Sequence, residues 1–426
     1  MRVLPSHPCM DDRRTHGRFR RSDEVMASAV AVDARAATRG DILPSTANGT
    51  TVYPRFMTRA EGPFVWDVDG NRFTDFLLGY GPVVLGHAQP DVMAAAVAQL
   101  STGNCIAPLW SPRQVELAHL LTETLPGAES ALLLKTGSDA TSAAIRLARA
   151  FTGRDLVLRC GYHGWHDWAV EQPGGVVSAV RAHTVPFPYG DLAALEALLV
   201  EHGDRTACVM MMPFELEPVP DGYLAAVRAL TSDHGALFVL DEVRSGFRLA
   251  LGGAQQHFGV TADLTAWSKA MGNGFAISAV TGREDVMHAL RMTKISSTFF
   301  ANPVDMAASL TTIRMLRDTD AIERLWRRGS AMMTGLDELS RSYGIPTTLL
   351  GYPPMPFMRF DIPDPALRSR VESTFYRATT EGGLLLHPEH QWFLSAAHAA
   401  SDIDRALDVC DAAFAGSRSI YEDPSR

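Results

Sequence analysis

The chain has 426 residues, 46% of them hydrophobic, and a formal net charge of −9, enough apolar material for a large buried core. A net acidic chain lacks the basic face that binding to a nucleic acid requires, so small-molecule chemistry is the expectation. No apolar run reaches the roughly 18 residues of a membrane-spanning helix.

The first stretch, residues 1 to 30, carries Arg13, Arg14, Arg18, Arg20 and Arg21 among Asp and Ser. It has too little apolar content to fold alone and is expected to be a disordered tail, or an upstream extension of a chain that starts at Met26. It also lacks the apolar centre of a secretory signal. Residues 31 to 75 are expected to form the N-terminal part of a small domain. Within it VYPRFMTRAEGPFVWDVDGNRFTDF alternates apolar and polar positions, broken at Glu61-Gly62 and Asp69-Gly70, which predicts a short β-meander. A large domain is expected over 76 to 305, where helical periodicity alternates with five β-rich runs: ALLLK (131 to 135), LVLR (156 to 159), CVMMM (208 to 212), ALFVLD (236 to 241) and DLTAW (263 to 267). That alternation predicts an α/β fold with a mostly parallel sheet covered on both faces. From 306 to 426 the pattern becomes helical, with short strands expected near MPFMRFDI and WFLSAA and a last helix in DIDRALDVCDAAF, giving a smaller α+β domain.

Open α/β sheets bind ligands beyond the carboxyl ends of their strands, so the residues just after the β-runs are the candidates for chemistry. Lys135-Thr136-Gly137-Ser138 leads from a strand into a helix, whose free N–H groups suit an anion, although the same turn also suits a plain capped helix. Asp241 ends a buried run, where a carboxylate is retained for a cation partner, either a protonated ring nitrogen or a structural salt bridge. Lys269 ends the next run. Only three lysines occur in the chain, Lys135, Lys269 and Lys294, so any lysine chemistry must use one of them. A lysine in an apolar setting can lose its proton and act as a nucleophile. The aromatic and histidine cluster CGYHGWHDW (160 to 168) offers Tyr162 and His163 beside a flat ligand, or an ordinary aromatic core. The five cysteines are scattered, with no C-x-x-C pair. They suggest neither zinc nor disulfides, no metal is expected, and a reducing cytoplasm is the expected setting.

Taken together, TGSDATSAAIRLARAFTGRD, CGYHGWHDW, GALFVLDEVRSGFRLALGGAQQHFGV, DLTAWSKAMGNGFAISAVTGREDVM and STFFANPVDMAA, preceded by FVWDVDGNRFTDFLLGYGPVVLGHAQPDV, resemble the successive signature blocks of class III aminotransferases. The likeness is greatest to the subgroup similar to glutamate-1-semialdehyde 2,1-aminomutase, which extends to aminotransferases of sugar and aminocyclitol pathways. The resemblance runs from about residue 51 to 413. It implies pyridoxal 5'-phosphate (PLP) as cofactor and fold type I, with a seven-stranded large sheet and a small domain built from both termini. It also implies a Schiff base on Lys269, with Asp241 on the pyridinium nitrogen. Val243 and Tyr162 would lie on the two ring faces, His163 would sit beside the ring, and Gly137 and Ser138 would hold the phosphate. Thr298 would join them from a neighbouring subunit of a homodimer, and Lys135 and Lys294 would be neighbours of the phosphate loop.

This sequence also departs from the family pattern. Met212 stands where relatives usually carry Glu before Pro. Gln391-Trp392-Phe393-Leu394 stands where many relatives place an arginine that clamps a carboxylate, and Arg244 could replace it or could bond the cofactor's 3-oxygen. In HPEHQWF the single candidate for the aminomutase's acidic residue is Glu389. A pocket of Tyr80, Met212, Arg244, His387 and Trp392 would suit a polyhydroxylated or amino-sugar acceptor. The expected activity is transfer of an amino group from a small-molecule donor to an aldehyde or ketone, as in secondary-metabolite or antibiotic pathways. An aminomutase or epimerase is the alternative, and a non-catalytic regulator of the same fold a remote one.

Overall fold

The computed structural model describes residues 18–38, 42, 52–172 and 174–423. Part of the expected tail is helical. Arg20–Ala29 forms a helix because Phe19 is buried against Phe73, with ring centroids 6.4 Å apart, and because the Asp69 carboxylate accepts from the amides of Arg21 (2.7 Å) and Ser22 (3.0 Å). Asp69 thus supplies in space the cap that the local sequence lacks. Residues 1–17 of the same expected tail lie outside the described residues.

The expected meander is present as β1 (Met57–Glu61), β2 (Phe64–Asp67) and β3 (Arg72–Asp75), turning at Gly62 (φ 55°) and Gly70 (φ 85°). Seven strands follow: β4 (Ser130–Leu134), β5 (Leu156–Cys160), β6 (Thr184–Pro186), β7 (Thr206–Met211), β8 (Leu237–Asp241), β9 (Leu264–Trp267) and β10 (Ser278–Gly282). They form one sheet in the order β4-β10-β9-β8-β7-β5-β6, parallel except at β10, which runs antiparallel to both its neighbours. Every residue of β7, β8, β9 and β10 is buried, as a sheet packed on both faces requires.

The C-terminal part holds the helices Pro303–Asp318, Ala321–Tyr343, Pro365–Glu381 and Ala400–Glu422, the hairpin β11 (Thr347–Tyr352) and β12 (Met355–Phe360), and the two-residue β13 (Leu384–Leu385). Strand β13 pairs in parallel with β3, so chain from both ends shares one four-stranded sheet. The stretch WFLSAA is not a strand. Its amides donate in turn to Pro356, Phe76, Pro354 and Val84 carbonyls, at 2.8 to 3.1 Å. Partners on two sides leave no single ladder, and the segment is extended and buried without belonging to a sheet.

Candidate active site

The carboxyl ends of adjacent strands β8 and β9 bring Asp241 and Lys269 together, with Asp241 in register with Ala266 three residues before the lysine. Lys269 has φ 47° at the start of a short 3-10 turn, one residue after β9. Left-handed backbone at a non-glycine residue costs about 1 to 3 kcal/mol, and its concentration around one place marks a functional site. Leu78 (45°), Tyr80 (64°), Phe247 (58°) and Asn273 (45°) share the feature. Asn273 accepts from the Leu85 amide (2.9 Å) and donates to the Gly86 carbonyl (3.0 Å), tying the lysine turn to the loop that carries Tyr80.

Burial, then the nearby Arg244 and Arg248 guanidinium groups, push the Lys269 amine down to about 8, against the opposing pull of Asp241. A lowered value means that the neutral, nucleophilic amine dominates above about pH 8 rather than above the ordinary lysine range near 10.5. Acylation of the apoprotein at a series of pH values, read lysine by lysine, is expected to show Lys269 labelling rising through a midpoint near 8. A midpoint in the ordinary lysine range would contradict this environment.

Asp241 is buried and fixed from two sides. Its Oδ1 accepts from the Val243 amide (3.0 Å) and its Oδ2 lies 2.7 Å from Nδ1 of His163. The other ring nitrogen, Nε2, donates to the Cys160 carbonyl at 3.0 Å. His163, fully buried, therefore sits behind the carboxylate as its support and does not line the open site where the sequence reading put it.

The helix Gly137–Thr152 starts at the end of β4 with a capping box between Thr136 and Asp139. The box satisfies the Asp139 amide and leaves those of Gly137 and Ser138 as first-turn donors without intrahelical partners. A Cβ on Gly137 would lie 2.9 Å from Cγ1 of Val243, and one on Gly164 would lie 2.2 Å from Oγ of Ser138. Glycine at both places keeps a cradle open at the helix N-terminus for an anion, packed against Val243.

Lys135 is tied to Asp305 at 2.5 Å, and Lys294 is exposed with its carbonyl accepting from Arg146. Neither ammonium is directed by a hydrogen bond to the cradle. Tyr162 (57% exposed) follows β5 on the open side. Thr298 opens an exposed 3-10 turn, and no hydrogen bond joins it to Gly137 or Ser138 of the same chain.

The remaining pocket candidates divide. Tyr80 and His387 meet, with the phenol oxygen 3.4 Å from Nε2. Met212 lies over Gly161, where an added Cβ would be 2.7 Å from its Cε. Arg244 donates to the Phe214 and Glu215 carbonyls and stacks on Phe214, 5.2 Å from the ring centroid. Burial pulls it down to about 10 while Asp241 opposes, so the guanidinium stays charged at neutral pH and is anchored on backbone rather than on a surface carboxylate. Trp392 does not line a pocket. It is fully buried in the core, with its indole donating to the His387 carbonyl at 2.8 Å. Glu389 is exposed, and its amide donates to His387 Nδ1 at 3.0 Å.

Two residues beyond those expected shape the site. Arg248, wholly buried, donates to the carbonyls of Gly81 (2.6 Å), Leu394 (2.7 Å) and Pro354 (3.2 Å). It ties the Tyr80 loop to the C-terminal block. His390 packs edge-on against Tyr80, with ring centroids 4.8 Å apart. Neither carries a sequence signal, because their partners are backbone carbonyls and rings brought together only in space.

The donor set fits a phosphorylated pyridine aldehyde. It offers a helix-end cradle for the phosphate, a buried carboxylate for a ring N–H, and a desolvated amine for the carbonyl. Comparison with known proteins agrees. The family model of class III aminotransferases matches residues 45–399. The 3-aminobutyryl-CoA aminotransferase of Cloacimonas acidaminovorans is 36% identical, the match covering 84% of this chain and 88% of that protein. The 2'-deamino-2'-hydroxyneamine transaminase of Streptomyces kanamyceticus is 35% identical, covering 88% and 91%. The FumI protein of Sphingopyxis sp. MTA144, solved in its PLP internal aldimine form, superimposes with a TM-score of 0.87 at 32% identity, covering 95% and 97% of the two chains. The chain belongs to the class III aminotransferases, PLP-dependent enzymes of fold type I.

Proposed function

We propose that this aminotransferase acts on an amino sugar, an aminocyclitol or a similar polyhydroxylated amine and its carbonyl counterpart. The reading is carried by candidate side chains that are neutral or already engaged: Tyr80 meets His387, Met212 is apolar, and Arg244 is anchored on the Phe214 and Glu215 carbonyls. Apart from that arginine, no side chain there offers the two-pronged recognition a substrate carboxylate uses. The relative acting on 2'-deamino-2'-hydroxyneamine supports the same class.

Bound PLP supplies a carbonyl for amine exchange and a ring that takes up electrons from the substrate's C–H bond. The protein supplies the rest. The uncharged Nζ of Lys269 takes the proton from the amine-bearing carbon. Asp241, held by His163 and the Val243 amide, would pair with the ring nitrogen, and Val243 and Tyr162 would flank the ring. The amides of Gly137 and Ser138, with the Ser138 hydroxyl, would hold the phosphate. Thr298 of a second copy completes the cradle in a homodimer, which its exposed position supports. Four described cysteines are free thiols, in keeping with a reducing cytoplasm.

The test is single-turnover reaction with a panel of amino sugars, aminocyclitols and amino acids, run in deuterated water. Bleaching of the visible cofactor band by aminocyclitols, and its return with a keto-sugar, is the expected result. A band that persists while solvent deuterium enters the substrate would mean a mutase or epimerase. Reaction confined to amino acids or glutamate-1-semialdehyde would overturn the substrate class.

A further inference from the structure

The C-terminal block places a third ring, His390, against the two the sequence singles out. Its centroid lies 4.8 Å from Tyr80 in an edge-on contact, 5.9 Å from His387 and 5.8 Å from Phe393. Its Nδ1 contacts the Gln391 carbonyl at 2.9 Å. A carbonyl only accepts, so the hydrogen sits on Nδ1 and Nε2 carries a free lone pair. Among the described residues nothing donates to that nitrogen. Burial, then the positive charges of Lys269 and Arg244, push the ring down to about 4, against the pull of the Gln391 carbonyl. At neutral pH it is therefore an uncharged acceptor beside the catalytic lysine.

Its neighbour offers the complementary group. His387 accepts at Nδ1 from the Glu389 amide (3.0 Å), which puts its hydrogen on Nε2, toward the Tyr80 oxygen at 3.4 Å. The Tyr80 oxygen is then the acceptor of that contact and its own O–H remains available to donate. The packed pair of rings thus carries an acceptor, His390 Nε2, and an available donor, Tyr80 O–H. Both are held in place, Tyr80 by a left-handed backbone (φ 64°) whose next carbonyl, at Gly81, accepts from buried Arg248, and His390 by its bond to Gln391.

We propose that His390 and Tyr80 together read a substrate hydroxyl next to the reacting amine, with His390 as the specificity-determining acceptor. An alcohol both donates and accepts, and so satisfies both groups. A carboxylate only accepts and would meet the imidazole lone pair, while an ammonium only donates and leaves the Tyr80 hydrogen unmatched. The inference rests on the proposed substrate class and makes it specific to one contact.

The experiment uses PLP-loaded protein and three amines of one ring size: the vicinal aminocyclohexanol, cyclohexylamine and the vicinal diaminocyclohexane. Loss of the visible band gives kcat/KM, and spectral titration gives the half-saturating concentration. The ratio between amines is the readout, because it cancels any general loss. The wild-type protein is expected to prefer the amino alcohol over cyclohexylamine by about ten- to a hundredfold, the effect of one buried hydrogen bond pair. His390→Phe, which keeps a ring against Tyr80, is expected to bring that ratio to within about threefold, and His390→Gln, which keeps an acceptor, to restore part of it. A ratio unchanged in His390→Phe overturns the inference while leaving the aminotransferase reading intact. A diamine preferred over the amino alcohol overturns it in favour of an ammonium site. Wild-type protein unreactive toward all three overturns it together with the proposed substrate class.

Discussion

Lys269→Ala is expected to lower single-turnover amine transfer by about ten-thousand-fold or more, since the nucleophile and the proton carrier are one group. Lys269→Arg should lose as much, because a guanidinium keeps the charge but does not give up its proton. This pair separates the lysine's chemistry from its charge. Lys269→Ala should not unfold the protein. The amine is buried near two guanidinium groups that disfavour its charge, so removing it relieves an electrostatic cost. The checks are the rate of band loss with a reactive amine and the melting temperature. Substantial turnover in either variant would show that another group does the work.

Asp241→Asn is expected to cost about a hundred- to ten-thousand-fold in the same rate, with binding of the cofactor weakened far less. The amide has the shape of the carboxylate and can still meet His163 and the Val243 amide, but it cannot stabilise a positive charge on the ring nitrogen. Loading the variant with an N-methylated cofactor, whose ring is permanently cationic, is expected to recover part of the rate. Recovery would separate the electrostatic role from a structural one. An Asp241→Asn protein as fast as wild type would remove the carboxylate from the mechanism.

The large sheet was legible because its parallel strands are buried on both faces and read as short apolar runs. Strands β6 and β10 escaped that reading. Thr184–Pro186 is a three-residue edge strand that includes a proline, and Ser278–Gly282 is built from small residues whose burial is set by their two antiparallel neighbours. The segment 392 to 396 has strand-like composition but takes its hydrogen bonds from two sides of the fold. The helix at Arg20–Ala29 depends on Asp69, some 47 positions away, which no local pattern carries.

The chemistry was legible where a residue type is unusual for its place. An acid and a lysine at the ends of buried strands, and a glycine at a helix start, each carry a cost that function explains. His163, Trp392, His390 and Arg248 were not legible in this way. Whether an aromatic or a cation faces the site or stands behind it depends on which backbone carbonyls come within reach, and spacing along the chain does not encode that. Lys135 shows the same limit, since its partner Asp305 is 170 positions away.

The whole site turns on which lysine holds the cofactor. Reducing the PLP-loaded protein with borohydride, digesting it and locating the phosphopyridoxyl group by mass spectrometry should place it on Lys269 alone, with Lys135 and Lys294 unmodified. The group on either of those two residues, or on none, would contradict the site described.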